Sequence, residues 1–245
     1  MSTQYDNIAE NYKNSKRLPI FKVIEHTLVR CIGDVKGKSL LDLACGDGFN
    51  TRSLKQLGAG HTVGVDISAE MVRLARAEEI RAPLGIEYVC SAVQQLGTIG
   101  SFDLVTAVFL LNYAKSRADL ATLCRTIYEA VKPGQRFAAI VDDGAVVSTT
   151  PGLYRKYGFN YRIPDAVREG DPVTIEVQAD EESWFTFESH VYFRETYEST
   201  LRSAGFSAVT WQPLVVPPEL EGHGGREYWA LLLEHSPILL VDCRR

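Results

Sequence analysis

Two aspartates around a glycine turn are the residues of this chain best suited to chemistry on a small charged ligand. In the stretch Ser39 to Asn50, SLLDLACGDGFN, Asp42 lies inside a short apolar run and Gly46-Asp47-Gly48 follows it. A second carboxylate, Asp66, stands twenty residues beyond Gly46, at the end of the apolar run His61 to Val65. A carboxylate there can accept hydrogen bonds from both hydroxyls of a ribose, which gives affinity and orientation together. The structural alternatives are a tight turn with no ligand, and an aspartate that helps cap the helix Ala69 to Glu79, for which Ser68 is the N-cap.

The elements that must position these groups follow from the apolar spacing. Leu40-Leu41, with Leu43 and Ala44, is too brief and too uniformly apolar for an amphipathic helix and reads as a buried parallel strand. Gly46 and Gly48 let the backbone turn sharply and approach a ligand. Phe49, Leu54 and Leu57 then recur at helical spacing. Strand, turn and helix make the nucleotide-binding corner of a doubly wound sheet, and one crossover brings Asp66 beside the turn. No glycine fills the third place of a G-x-G-x-x-G fingerprint, and no Gly-Lys-Ser/Thr follows the turn.

Further strands are expected at Ile86 to Cys90, Phe102 to Val108, Arg136 to Val141, Val209 to Val216 and Ile238 to Val241. Ser116-x-x-Asp119 opens a helix that reaches Val131, and Glu195-Thr196-Tyr197 opens one that ends at Gly205. Between Gly144 and about Arg194 the pattern breaks. Val173 to Gln178 and Trp184 to Tyr192 alternate as an inserted hairpin or small subsheet, with Phe185, Phe187 and Ser189 on one face and Thr186, Glu188 and His190 on the other.

The 245 residues fit one α/β domain with an insertion, and 45% hydrophobic with 23% charged residues is ordinary for a folded core. A net charge of −5 argues against broad binding of a phosphate backbone. Five cysteines without C-x-x-C spacing suggest reduced thiols in the cytoplasm, and neither a zinc pattern nor a membrane span is evident.

Four strings occur in order: Tyr5-Asp6-x-Ile8-Ala9-x-x-Tyr12, then D-L-A-C-G-D-G, then Phe102-Asp103-Leu104-Val105, then Lys132-Pro133-Gly134 before a strand. Together they resemble the class I S-adenosylmethionine-dependent methyltransferases, most strongly from Gly37 to Val141 and least across the insertion. The resemblance implies a seven-stranded, mostly parallel, doubly wound α/β sheet of Rossmann-like form, with the last strand antiparallel as a reversed edge. It divides one domain, 1–245, into N-terminal lid helices (1–36), a cofactor-binding core (37–143), a substrate-capping β insertion after the fifth strand (144–193) and the C-terminal half of the sheet (194–245).

The cofactor implied is S-adenosyl-L-methionine, leaving as S-adenosyl-L-homocysteine. Asp42, Ala44 and Gly46 would hold its methionine end and Asp66 its ribose, with Ile67 and Met71 near the adenine. Ser91 stands where relatives often carry Asp, so its hydroxyl, or the backbone at Ala92 and Val93, would read the adenine edge. Tyr5 and Tyr12 would close as a lid, and Phe109 would border the transferring methyl. Asn112 stands where relatives often show His, and an amide can orient an acceptor but cannot act as a base at neutral pH. If a base is needed, Tyr113, Asp142 and His190 are the candidates. Tyr154, Trp184 and Phe185, with Tyr157 and Tyr161, are candidates for the acceptor pocket, although the same aromatics would suit a dimerisation flap. His223, in a glycine-rich link, can titrate near neutrality.

Within the family, the lid, the LLNYA segment and the GREYW tail look most like secondary-metabolite enzymes, toxoflavin-type azapteridine N-methyltransferases in particular. The expected partner is a small flat molecule, not nucleic acid or membrane, and the chain would work as a monomer or homodimer without a metal. Other readings are an O- or C-methyltransferase of another metabolite, a nicotinamide oxidoreductase sharing Asp66, and a cofactor-binding protein that catalyses nothing.

Overall fold

The apolar runs form strands β1 (Leu40–Leu43), β2 (Thr62–Asp66), β3 (Ile86–Cys90), β4 (Phe102–Val108) and β5 (Val131–Asp142), seen here in a computed structural model. It describes residues 4–97, 99–150, 152–164, 166–222 and 225–245. Every residue of β1 and of β2 is buried, as a parallel strand covered on both faces requires. In register, Leu41 sits between Val63 of β2 and Val105 of β4, and Asp42 between Gly64 and Thr106.

Helices α1 (Ala9–Ser15) and α2 (Pro19–Ile32) precede the sheet, and α3 (Phe49–Gln56), α4 (Ala69–Arg81) and α5 (Arg117–Ala130) are its crossovers. Two of the starts read from the sequence have the expected capping bonds. The Ser68 hydroxyl accepts from the Met71 N–H, and the Ser116 hydroxyl accepts from the Asp119 N–H. The buried stripe Ile20, Val23, Ile24 and Leu28 lays α2 against the β5 side of the sheet, while Leu120, Leu123 and Ile127 of α5 cover the opposite face.

After β5 come the short α6 (Gly144–Val147) and strands β6 (Phe159–Arg162), β7 (Pro172–Gln178) and β8 (Trp184–His190), which pair antiparallel in that order as a separate three-stranded sheet. The alternation on β8 is as expected: Phe185, Phe187 and Ser189 are buried, while Thr186 and Glu188 face out. β6 was not foreseen, because its four residues are too few to alternate visibly.

The chain then runs through α7 (Arg194–Ala204), β9 (Ala208–Gln212), α8 (Pro218–Glu221), α9 (Gly225–Glu234) and β10 (Ile238–Arg244). The main sheet has seven strands in the order β3-β2-β1-β4-β5-β10-β9, the seven-stranded, mostly parallel sheet that the resemblance implies. Its reversed strand is not at the edge. β10 pairs antiparallel with β5 on one side and β9 on the other. The buried run Ile238–Val241 needs a neighbour on each side, whereas β9, with one buried residue in five, suits the edge. Among the described residues no helix is long and apolar enough to cross a membrane.

Candidate active site

The carboxyl ends of β1, β2, β4 and β5 meet under the N-terminal segment and the small sheet, and this is where open α/β sheets bind ligands. Asp42 is buried, and each of its oxygens accepts a hydroxyl: Thr51 of α3 at 2.6 Å and Thr106 of β4 at 2.8 Å. Burial raises its carboxyl to about 6, against the pull of those two bonds. Asp42 therefore ties turn, helix and strand together at the base of the site, behind the surface a ligand would meet.

The turn itself is left-handed at Ala44 (φ 55°), Gly46 (φ 56°) and Gly48 (φ 84°). Gly48 also lacks room, since a Cβ there would lie 2.4 Å from the Tyr88 hydroxyl oxygen. Ala44 and Phe109 (φ 58°) are the two non-glycine residues with positive φ among those described. Both stand just past a central strand's carboxyl end, where such strain collects at functional sites.

Asp66 spans the turn. Its Oδ2 accepts the Gly46 N–H at 2.8 Å, and its Oδ1 accepts the Ser68 N–H at 2.8 Å. Burial pushes the carboxyl up while these backbone bonds hold it down. A carboxylate has about four acceptor positions, so beside these contacts and the nearby Ile67 N–H it keeps capacity for a ribose hydroxyl. The Ser91 N–H donates to the Asp66 carbonyl at 2.9 Å, which brings the Ser91–Val93 segment beside it. Ile67 is 42% exposed and presents an apolar face, whereas Met71 is buried beneath Tyr5 and Tyr12.

Lys16 carries no sequence signal that singled it out. Its ammonium lies 4.2 Å from the ring centre of Tyr12, 4.1 Å from Phe21 and 5.7 Å from Phe49, the first residue of α3. Its charge reaches Asp42, and no carboxylate pairs with it among the described residues. A periodic-pattern reading sees only one of several lysines; the ring cage that marks it is made in three dimensions.

Next to the turn lies an aromatic cavity. Tyr5, Tyr12 and Phe21 close it from the N-terminal side, Phe187 and Tyr161 from the small sheet, and Phe109, Asn112, Tyr113 and Asp142 from the strand ends. Asp142, the last residue of β5, accepts from the Tyr161 hydroxyl at 2.7 Å and from Asn112 Nδ2 at 3.0 Å. Burial lifts its carboxyl to about 7. The Tyr113 hydroxyl is hydrogen-bonded to that of Tyr5, and burial raises both phenols well above their ordinary range, so Tyr113 is a neutral hydroxyl at physiological pH.

Other expected pocket residues lie elsewhere. His190 is on the outward-facing side of β8, near Lys115, with its imidazole held down by burial and that lysine. Tyr154 is buried behind the cavity, donating to the His235 carbonyl and stacking on Phe159. Trp184 sits at the start of β8 under the Arg155 guanidinium. Phe185 packs edge-on to Tyr12, one row out from the lining. His223 lies outside the described residues.

The N-terminal segment is tethered at both ends of the site. Gln4 Nε2 donates to the Glu188 carbonyl at 2.8 Å and Gln4 Oε1 accepts the Glu188 N–H at 2.8 Å. Asp6 accepts from the Ser68 hydroxyl at 2.6 Å and from the Glu70 N–H at 3.2 Å, at the N-terminus of α4. With the segment so placed, the free space in the cavity is about 40 Å³, room for a water or two but not for a bicyclic acceptor. Tyr5→Phe, which removes the Tyr5–Tyr113 bond, is expected to speed amide exchange over Ala9–Ser15 by roughly tenfold, about one hydrogen bond's worth. Unchanged protection would show that this bond does not hold the segment.

Residues 40–134 match the family model described as a methyltransferase domain. The chain is 32% identical over 100 residues to the ubiquinone biosynthesis O-methyltransferase of Burkholderia orbicola, covering 40% of this chain and 41% of that enzyme. It is 29% identical over 217 residues to the demethylmenaquinone methyltransferase of Lactococcus lactis, covering 85% and 82%. The crystal structure of an S-adenosylmethionine dependent methyltransferase from Mesorhizobium loti superposes with a TM-score of 0.64 at 24% identity, over 90% of this chain and 96% of that one.

Proposed function

We propose that this chain, whose residues 40–134 match a methyltransferase domain and whose sheet has the class I methyltransferase order, transfers a methyl group from S-adenosylmethionine to a small flat heteroaromatic acceptor. The observation that carries the reading is the adjacency of two sites. A glycine turn spanned by Asp66 stands beside an aromatic cavity that holds one buried carboxylate, Asp142.

Asp66 would take the ribose, with Ile67 and the Ser91–Val93 segment along the adenine. Gly46 and the first N–H groups of α3 would face the methionine end, which Asp42 and Ala44 support from behind. Lys16 is placed for the cofactor's carboxylate, since no carboxylate of the described residues forms an ion pair with it. Replacing it with methionine is expected to weaken S-adenosylhomocysteine binding about tenfold and to leave adenosine binding unchanged. Equal losses for both ligands would remove Lys16 from that role.

The cofactor supplies an already activated methyl group on a sulfonium, so the protein's larger task is alignment. Phe109 and Tyr113 border the strand ends where acceptor and donor would meet, and closure of Tyr5 and Tyr12 would shut out water. When the acceptor's nucleophilic atom carries a proton, Asp142 is the group placed to receive it. N-methylation in secondary metabolism, of the toxoflavin-type azapteridine kind, is the finer reading, in a cytoplasmic protein acting as a monomer or homodimer. The relatives' names, an O-methyltransferase of ubiquinone biosynthesis and a demethylmenaquinone methyltransferase, make O- or C-methylation the second reading.

Calorimetric titration with S-adenosylhomocysteine beside NAD tests the cofactor. Binding of the former alone supports the reading. No binding of it by folded protein would sink the proposal, and binding of NAD would favour an oxidoreductase.

A further inference from the structure

Asn112 is fully buried, yet it is only half satisfied. Its Nδ2 donates one hydrogen to Asp142 Oδ2 at 3.0 Å and the other to Ser189 Oγ at 3.0 Å. Ser189 cannot donate in return, because its own hydroxyl hydrogen goes to the Asn112 backbone carbonyl at 3.0 Å. That arrangement fixes which end of the amide is nitrogen. The side-chain carbonyl, Oδ1, is left without a partner among the described residues, in a residue that lines the aromatic cavity. Buried acceptors are rarely left unmade, and an orphan on a residue that lines an aromatic cavity calls for a donor from outside the chain.

Resting on the methyltransferase reading, we propose that Asn112 selects the acceptor, its side-chain carbonyl taking a hydrogen bond from a ring N–H of a flat heterocycle. The cavity's other walls offer ring faces and edges, from Phe187, Phe109 and Tyr12, which contact planar molecules of many kinds without distinguishing them. The polar corner is therefore where specificity resides. Asp142 lies in the same corner, one hydrogen bond away, so a ring N–H held by Asn112 is delivered beside a second acceptor. Ser189 and Asp142 act on the acceptor through the amide by locking its orientation, which makes Ser189 a positioning residue.

A ring of the same shape with that N–H alkylated would bury the carbonyl without a partner. Sites built around a hydrogen bond reject such analogues far more strongly than apolar pockets reject a methylene. The test uses the whole protein loaded with S-adenosylhomocysteine and a matched pair of pteridine-2,4-diones, one with both ring N–H groups free and one alkylated at both. Wild type is expected to bind the free form at least about 30-fold more tightly. Asn112→Ala should lose most of that preference by weakening the free form alone, with S-adenosylhomocysteine titration reporting that the variant is folded. Equal binding of the pair by wild type, or no binding of either to the loaded protein, would overturn the assignment of Asn112. Failure of S-adenosylhomocysteine itself to bind would overturn the underlying methyltransferase reading, and the two failures are distinguished in one experiment.

Discussion

Asp142→Asn is expected to lower kcat/KM by roughly 10² to 10⁴, the usual contribution of a positioned base, while S-adenosylhomocysteine binds as before. The substitution keeps the shape of the side chain and an oxygen for Asn112, and removes the capacity to take a proton together with the acceptor of the Tyr161 hydroxyl. Burial brings the Asp142 carboxyl to about 7, close to where a base is most effective. For wild type, kcat/KM should rise about tenfold per pH unit below 7 and level off above it, because only the ionised carboxylate accepts a proton. In the variant that limb should vanish. A variant with wild-type turnover would mean that the acceptor needs no base.

The same residue has an opposite effect on stability. Its folded pKa, about 7, stands above the ordinary aspartate value of about 3.9. It therefore contributes stability that is fully present below pH 4 and is lost as pH rises through 7. Asp142→Asn is uncharged throughout and should gain about 2–4 kcal/mol relative to wild type between pH 4 and pH 8. Chemical denaturation at those two pH values measures it. A substitution that stabilises the fold while stopping turnover is the mark of a group held in place for function.

Asp66→Ala should weaken S-adenosylhomocysteine binding by about 1.5–3 kcal/mol, the cost of losing two charge-assisted bonds. The protein's own contacts add to that, since the Gly46 and Ser68 N–H groups both lose their acceptor. A fall in unfolding stability of roughly 1 kcal/mol should accompany the loss. Titration of the folded variant decides the matter, and unchanged affinity would remove Asp66 from the site.

The half of this molecule around the glycine turn was legible because its signals are local. β1, the glycine turn, α3 and Asp66 follow one another within about thirty residues, and the crossover rule leaves one way to bring the carboxylate back to the turn. Ser68 and Ser116 cap their helices as their positions imply. The aromatic cavity was legible only in outline. Alternation on β8 already put Phe187 and Ser189 on one face and His190 on the other, but nothing in the sequence said which face would meet the strand ends. The polar corner joins Asn112, Asp142, Tyr161 and Ser189, residues 19 to 77 positions apart, through contacts that only the packed sheets create. The place of the insertion after the fifth strand points Tyr154 and Trp184 toward the pocket, whereas the fold uses one as core and the other under an arginine.

The Gln4 side chain meets the Glu188 N–H and carbonyl as a neighbouring strand's backbone would, on a strand at the border of the small sheet. It thus covers part of the row of unpaired backbone groups that invites other chains to add on. Whatever lifts the N-terminal segment to admit an acceptor must bare that row at the same moment. The open form is then the adhesive one. Solutions kept saturated with S-adenosylhomocysteine should stay clear of aggregates longer than ligand-free ones, for a reason separate from any gain in the stability of the fold.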